Sequence, residues 1–577
     1  MRNTYTNELN VQILISLLKK HNIKNIVASP GSTNICFVAS VQNDDFFNVI
    51  SCVDERSASY IACGMAAETG EPVVITCTGA TASRNYFPGL TEAYYRKLPV
   101  IAITATQHLG RIGQNVAQVI DRTVQPKDIV KKSIQLQTVF SEEDKWDCNL
   151  KINDVLLECR RNGGGPVHIN MVTTYNNSFN CTELPDERKI ERIGYSDELP
   201  RINYSKIAIF IGNHAPMSEE LSDVIDEFCE KYNGVVLCDH TSNYDGKYKI
   251  LGNIICNQTV SNNLKNIDLL IDIGNISGAY MAINPKEVWR INPDGELRDT
   301  YKKLRYVFQM EEQDFFIKYN EKIKQKINTD YFNAWMQDRK KLVDKLKNID
   351  LPFSNLWIAN NIIKKLQEDS IVHLAILNTL RVWNYFDTNK KINFYCNTGG
   401  FGIDGIMSSA VGNSLVTEKN VYCFIGDLAF FYDLNSIGNR EINNNLRILL
   451  VNNGCGVEFH NYNHRARLIS IENNLDIKFF AADGHFGNKS KDLVKHYAED
   501  LGFKYISACT KNEFIKNVDE FIDEKSDKPI IFEIFTDAED ESNALKMINN
   551  LEKNGKSAIK DIVGEKNIRK LKKILRK

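Results

Sequence analysis

Apolar positions in this chain fall in short runs that break off at glycines and oxygen-bearing side chains. The clearest pair lies late. Residues 421–425 are apolar and stop at Gly426-Asp427-Leu428. After a polar, helix-like stretch, residues 448–451 are apolar and stop at Asn452-Asn453-Gly454-Cys455-Gly456. Runs this short, separated by one crossover, predict two buried parallel strands joined by a helix. The same rhythm opens the chain. Leu9, Val11, Leu14, Leu17 and Leu18 keep helical spacing within residues 8–20, and strands are predicted at 25–28, 47–53, 73–77 and 100–104. Each ends in a polar turn: Ser29-Pro30-Gly31-Ser32, Asp54-Glu55-Arg56-Ser57, Thr78-Gly79-Ala80-Thr81, and Ala105-Thr106-Gln107-His108. Small residues from Ala58 to Ala67 predict a helix that packs closely.

Further runs at 207–211, 235–238 and 269–273, then at 371–376, 394–397 and 529–534, extend the alternation. The reading is α/β, with three doubly wound parallel-sheet domains over 1–180, 204–345 and 351–550. Residues 181–203 read as a polar linker and 551–577 as a basic C-terminal tail. The length of 577 residues agrees with several domains rather than one core. No GxGxxG follows a strand of the middle unit, which reads as structural, although polar strand ends leave a nucleotide open there.

Composition narrows the class. Apolar residues make up 43% and charged residues 25%, as in soluble globular proteins, and a net charge of -2 argues against a general nucleic-acid binder. No run approaches the roughly 18 apolar residues of a membrane span. The 14 cysteines lack paired CxxC spacing and read as reduced cytoplasmic thiols. The N-terminus opens into a polar helix with no apolar signal core. These readings predict a cytoplasmic protein with no nucleic-acid or membrane partner.

The chemistry is predicted at strand ends, because ligands of open α/β sheets bind outside the carboxyl ends of the strands. Asp427 and Asn453 offer oxygen ligands there, and Gly426, Gly454 and Gly456 let backbone approach. The set suits Mg²⁺, or Mn²⁺, carrying a diphosphate. For either piece alone, a helix cap or an Asn-Gly turn is the plain alternative.

Gly426-Asp427 followed by Asn452-Asn453 resembles the diphosphate-metal motif of thiamine diphosphate enzymes. Asp54-Glu55-Arg56-Ser57-Ala58, Asn85-Tyr86-Phe87-Pro88, residues 165–170, Gly402-Ile403-Asp404-Gly405 and residues 426–430 are similar to those of the menaquinone-pathway SEPHCHC synthases. These enzymes join a succinyl semialdehyde unit, derived from 2-oxoglutarate, to isochorismate. The resemblance runs from residue 8 to about 540. It implies that 1–180 is a pyrimidine-binding domain, 204–345 a central domain and 351–550 a diphosphate-binding domain. It implies a decarboxylase and carboligase acting on a small 2-oxoacid donor and an acceptor that the sequence leaves unidentified. The SEPHCHC reaction itself and simple decarboxylation stay open. It also implies at least a dimer, or a tetramer, with the cofactor between the first domain of one chain and the third of another.

Residue roles follow from the same resemblance. Glu55 would hydrogen-bond the cofactor pyrimidine, with a first-turn helix charge as its plain alternative. Thr81, Tyr86, Gly402, Asp404, Gly405, Gly426, Leu428, Ala429, Gly456 and Val457 would line the cofactor pocket. Asp427 and Asn453 would bind the metal by side chain and Cys455 by its carbonyl; a thiolate-zinc site at Cys455 finds no matching Cys or His set. Ser32, Thr33, Gln107, Gln118, Asn378, Arg381, Thr398, Phe459 and His460 fall at substrate positions. Gln118 also matches a catalytic one, and His460 and His485 are candidate proton shuttles. Thr33, Gln107 and Thr398 stand where the family carries Arg, and Arg381 comes at a changed spacing. Arg forks hold carboxylates. Arg84, Arg381, Arg465 and Arg467 are the candidate replacements, and a different donor or acceptor is expected.

Overall fold

A computed structural model describes residues 4–553 apart from 261, 325–328, 389, 486, 488 and 524. The basic tail expected over 551–577 lies outside the described residues from 554 onward. The chain divides into two compact units, Met1–Glu198 with Gly295–Gln309, and Leu199–Asp294 with Met310–Lys577.

In the first unit the strands stand in the order Asn48–Ser51, Asn25–Ala28, Val73–Cys77, Val100–Thr106, Val167–Val172, Lys132–Leu136, all parallel. Alternate side chains serve opposite faces, as the pleat requires. Ile26, Val74, Ile101 and Ile169 pack with Leu14, Leu17, Ile152 and Val155 of the helices Leu9–Lys20 and Glu142–Glu158. Val27, Val73, Ile75 and Ala102 pack on the other side with Ala58, Ala62 and Ala66 of the helix Glu55–Thr69. The alanine-rich stretch thus brings Glu55, at the head of that helix, to the carboxyl edge of the sheet. The segment expected as a linker also carries a strand of this unit: Glu191–Gly194 pairs with Leu304–Gln309.

The second unit holds two parallel arrays. One runs Lys249–Leu251, Gly234–Cys238, Ile207–Ile211, Asn266–Ile273, Asn284–Ile291. The other runs Asn393–Tyr395, Ile371–Leu374, Val421–Gly426, Leu446–Asn452, Ile530–Phe535, Lys504–Ala508. Counted in chain order, this last sheet and the first share the order 2-1-3-4-6-5. Winding reverses between strands 1 and 3 of each, which is where a doubly wound sheet opens a crevice for ligands. Asn378 and Gly426-Asp427 border that point in the last sheet, and Ser32, Thr33 and Thr81 border it in the first.

Candidate cofactor site

Asp427 opens the helix Asp427–Tyr432 where the strand Val421–Gly426 ends. Gly426 sits in register with Val451, so the end of the neighbouring strand Leu446–Asn452, and Asn453 beyond it, lie alongside. The Asp427 side chain is buried and accepts a hydrogen bond from the Gly454 N–H at 2.9 Å. Burial pushes its carboxyl up to about 6. A carboxylate withdrawn from water in this way is relieved by a cation.

The loop is shaped by its glycines. Gly454, at φ 75°, takes the left-handed turn that points its amide at Asp427. Gly456 is buried, and a Cβ there would stand 2.4 Å from the Ala481 carbonyl oxygen. At Gly426, by contrast, a Cβ would meet nothing within 4 Å, which leaves backbone open beside Asp427. Two oxygen-bearing side chains, one of them a buried carboxylate, and an open glycine edge fit a divalent cation with a diphosphate. Leu428 is half-buried, and Ala429 and Val457 are buried around them. The Cys455 carbonyl accepts from the Val457 N–H at 3.0 Å, and burial among carboxylates pushes the Cys455 thiol up to about 12. Gly405, at φ 80°, precedes the helix Ile406–Ser414 in a conformation suited to glycine. Gly402 and Asp404 are exposed in the turn before it.

The first unit supplies the other expected group. Glu55 is half-buried at the start of its helix, and the Asn85 amide donates to Glu55 Oε2 at 3.3 Å. Asp54 caps the same helix, accepting from the backbone of Arg56 and Ser57, so the cap duty is taken and Glu55 is free of it. Thr81 is exposed behind Ala80, which is held at φ 52° and ψ -129°. Gln118 is exposed at φ 61°, its carbonyl oxygen 2.7 Å from where a Gly79 Cβ would stand. Gly79, Thr81 and Gln118 are therefore brought together. Tyr86, expected in the cofactor pocket, has its side chain buried in the core beside Cys77.

Comparisons with known proteins give the family. Residues 10–124 match the family described as thiamine pyrophosphate enzyme, N-terminal TPP binding domain. The chain is 30% identical to the 2-succinyl-5-enolpyruvyl-6-hydroxy-3-cyclohexene-1-carboxylate synthase of Bacteroides thetaiotaomicron, across 94% of this chain and 98% of that protein. It is 29% and 28% identical to the synthases of that name from Phocaeicola vulgatus and Bacteroides fragilis, with the same coverage. The chain belongs to this family of thiamine diphosphate enzymes.

In this family member the expected substrate positions are largely satisfied from within. Thr33 is buried, its hydroxyl 2.6 Å from that of Thr78, while Ser32 beside it is exposed. Gln107 donates to the Tyr175 hydroxyl at 3.1 Å and accepts from Arg111. Thr398 is buried and accepts from the Asn213 amide at 2.9 Å. Asn378 follows Leu377, a strained turn at φ 68° and ψ -121°. Of the replacement cations, Arg381 pairs with Glu458, Arg467 pairs with Glu539 at 2.9 Å, Arg84 donates to the Asp121 carbonyl at 3.0 Å, and Arg465 is exposed.

The two histidines separate. His485 is exposed, with Nδ1 accepting from the Gly487 N–H at 3.0 Å and its ring 5.2 Å from Phe431. His460 lies one turn beyond the metal loop, 2.8 Å from Asp483, whose other oxygen accepts from the Gly456 N–H at 3.3 Å. Cys455, His460 and Asp483 place their ligand atoms within 4.8 Å of one another. The fold thus groups three residues around Cys455 that could hold a metal ion, a grouping the sequence did not reveal. Phe459 packs edge-on against His464, 5.1 Å between centroids. Sequence reasoning also missed Arg122, a fully buried guanidinium that donates to the Ala105 carbonyl at 2.9 Å beneath the Gly79 turn. A lone arginine in a polar stretch carries no pattern that would have found it.

Proposed function

We propose that this enzyme uses thiamine diphosphate with Mg²⁺ or Mn²⁺ to decarboxylate a small 2-oxoacid and passes the resulting acyl-anion unit to an acceptor. The carrying observation is the buried Asp427 carboxylate at the switch point of the last sheet, hydrogen-bonded by the loop that brings Asn453 beside it. When bound, thiamine diphosphate supplies the electron sink for the electrons left behind as CO₂ departs. Asp427 and Asn453 would hold the metal. The open backbone at Gly426 and the buried Ala429 and Val457 would seat the diphosphate and keep water out. Glu55, oriented by Asn85, would hold a proton against the pyrimidine ring.

A homodimer or tetramer in the cytoplasm completes the reading. Val53, Tyr60 and Ile61, which flank Glu55, are 78, 48 and 40% exposed, a face suited to cover by a second copy. All 14 cysteines are unpaired, as in a reducing compartment. No helix among the described residues is long and apolar enough to cross a membrane.

A second reading is the reaction named for the relatives. Near full-length identity favours it, and the neutral Thr33, Gln107 and Thr398 speak against it. The test of the main reading is Glu55→Gln. The variant is expected to fold and to bind thiamine diphosphate but to lose nearly all CO₂ release from any 2-oxoacid. Wild-type turnover in the variant would remove Glu55 from the mechanism.

A further inference from the structure

We propose that the 2-oxoacid donor carries a neutral, hydroxyl-bearing side chain, and that the Arg381–Glu458 pair selects it against a donor with a second carboxylate. This rests on the carboligase reading above and names its substrate class.

Arg381 projects from the helix Asn378–Trp383, which starts at the switch point of the last sheet. Glu458 belongs to the short helix Val457–His460, directly after the metal loop. The two form an ion pair with side chains 25 and 13% exposed, and the guanidinium lies over the Tyr280 ring, 4.6 Å from its centroid. Arg381 is therefore not an open fork. Its charge is cancelled by an acid that follows directly on the Asn453–Gly456 loop. A second substrate carboxylate meets Glu458 at close range in a poorly hydrated place, where like charges repel strongly. The neighbouring groups do not compensate. Thr398 has its hydroxyl engaged by Asn213 at 2.9 Å, and Arg467 is held by Glu539 at 2.9 Å.

The pair is also incomplete. Arg381 Nε and Glu458 Oε2 are both buried and lack a hydrogen-bond partner among the described residues. One is a donor and the other an acceptor. A hydroxyl both accepts and donates, so one such group can satisfy the two together. A carboxylate can serve only the first, and an alkyl group neither. Leaving buried polar atoms unpaired is the stronger source of discrimination.

The experiment compares hydroxypyruvate, pyruvate and 2-oxoglutarate with the holoenzyme and three variants. CO₂ release gives kcat/KM. Quenching of tryptophan fluorescence gives Kd for each acid even where no CO₂ is released, so a failed decarboxylation reading is told apart from failed selection. Trp383 lies two positions from Arg381 in the same helix. The wild type is expected to favour hydroxypyruvate over 2-oxoglutarate by about tenfold or more in Kd and, where it turns over, in kcat/KM. Glu458→Gln frees Arg381 and is expected to move that ratio about tenfold toward 2-oxoglutarate, chiefly through Kd and KM. Glu458→Ala should move it the same way. Arg381→Gln removes the cation as well and should leave 2-oxoglutarate weak. A wild type that prefers 2-oxoglutarate, or a ratio unmoved by both Glu458 variants, would overturn the proposal.

Discussion

A single methyl group separates an unobstructed loop from a blocked one at Gly456. The Cβ that alanine adds would stand 2.4 Å from a backbone oxygen, that of Ala481, which cannot swing aside as a side chain can. The loop from Asn453 to Val457 must shift instead. Gly456→Ala is expected to weaken thiamine diphosphate binding by about tenfold or more, and to cost about 1–3 kcal/mol of stability. Gly438→Ala, where the added carbon meets nothing within 4 Å, should change neither. Calorimetric titration and thermal melts of the two variants check this. The same scale shows what a sequence carries. The strand-end positions of Glu55, Asp427 and Asn453 were legible because each follows an apolar run. The burial of Tyr86 was not, since a helix turn does not announce which of its residues faces the core. Nor were the pairs Arg381–Glu458 and His460–Asp483, whose members stand 77 and 23 residues apart and meet only through the fold.

Among elements, the central strands were the most readable, and of the edges those at 47–53 and 394–397 were found while others were not. Val73–Cys77 and Ile207–Ile211 are buried on both faces and therefore apolar but for Thr76, the signature of interior parallel strands. Lys132–Leu136 and Lys504–Ala508 are edge strands with polar outward positions, which short-window periodicity does not separate from loop. Glu191–Gly194, half-buried throughout, hid in a stretch that reads as a linker. The common order 2-1-3-4-6-5 of the first and last sheets had no counterpart in sequence, because topology constrains burial and not identity. Both sheets place a strained non-glycine residue where a strand beside the switch point turns into a helix, Ala80 in one and Leu377 in the other. Such backbone costs roughly 1–3 kcal/mol and persists where the surroundings hold it, typically beside a ligand site.

For the whole molecule, buried histidines set the response to acid. Burial holds His168 down to about 3, and His21, His240 and His373 down to about 4. Unfolded, each takes a proton near 6.5. Between 6.5 and 4 the unfolded chain therefore binds more protons than the folded one, and stability falls as pH falls, by up to about 1.4 kcal/mol per pH unit for each histidine. Glu541 and Asp427 work the other way. Burial raises their carboxyls to about 7 and about 6, so the folded form gains stability as pH falls through those values toward the unfolded ones. The four histidines set the sign, and the melting temperature is expected to decline from pH 6.5 to 4.5, with His168→Gln flattening the decline. A melting temperature that rises over that range would mean that the histidines do not govern it.

Glu55 lies in one unit of the chain and Asp427 in the other, and the proposed function turns on Asp427 as the anchor of the cofactor's metal. The most direct measurement of that claim is a titration of thiamine diphosphate, with and without Mg²⁺, into the wild type and Asp427→Ala. The account predicts saturable binding that depends on Mg²⁺ and weakens by about tenfold or more in the variant. Binding as tight without the metal, or undiminished by the loss of Asp427, would contradict it.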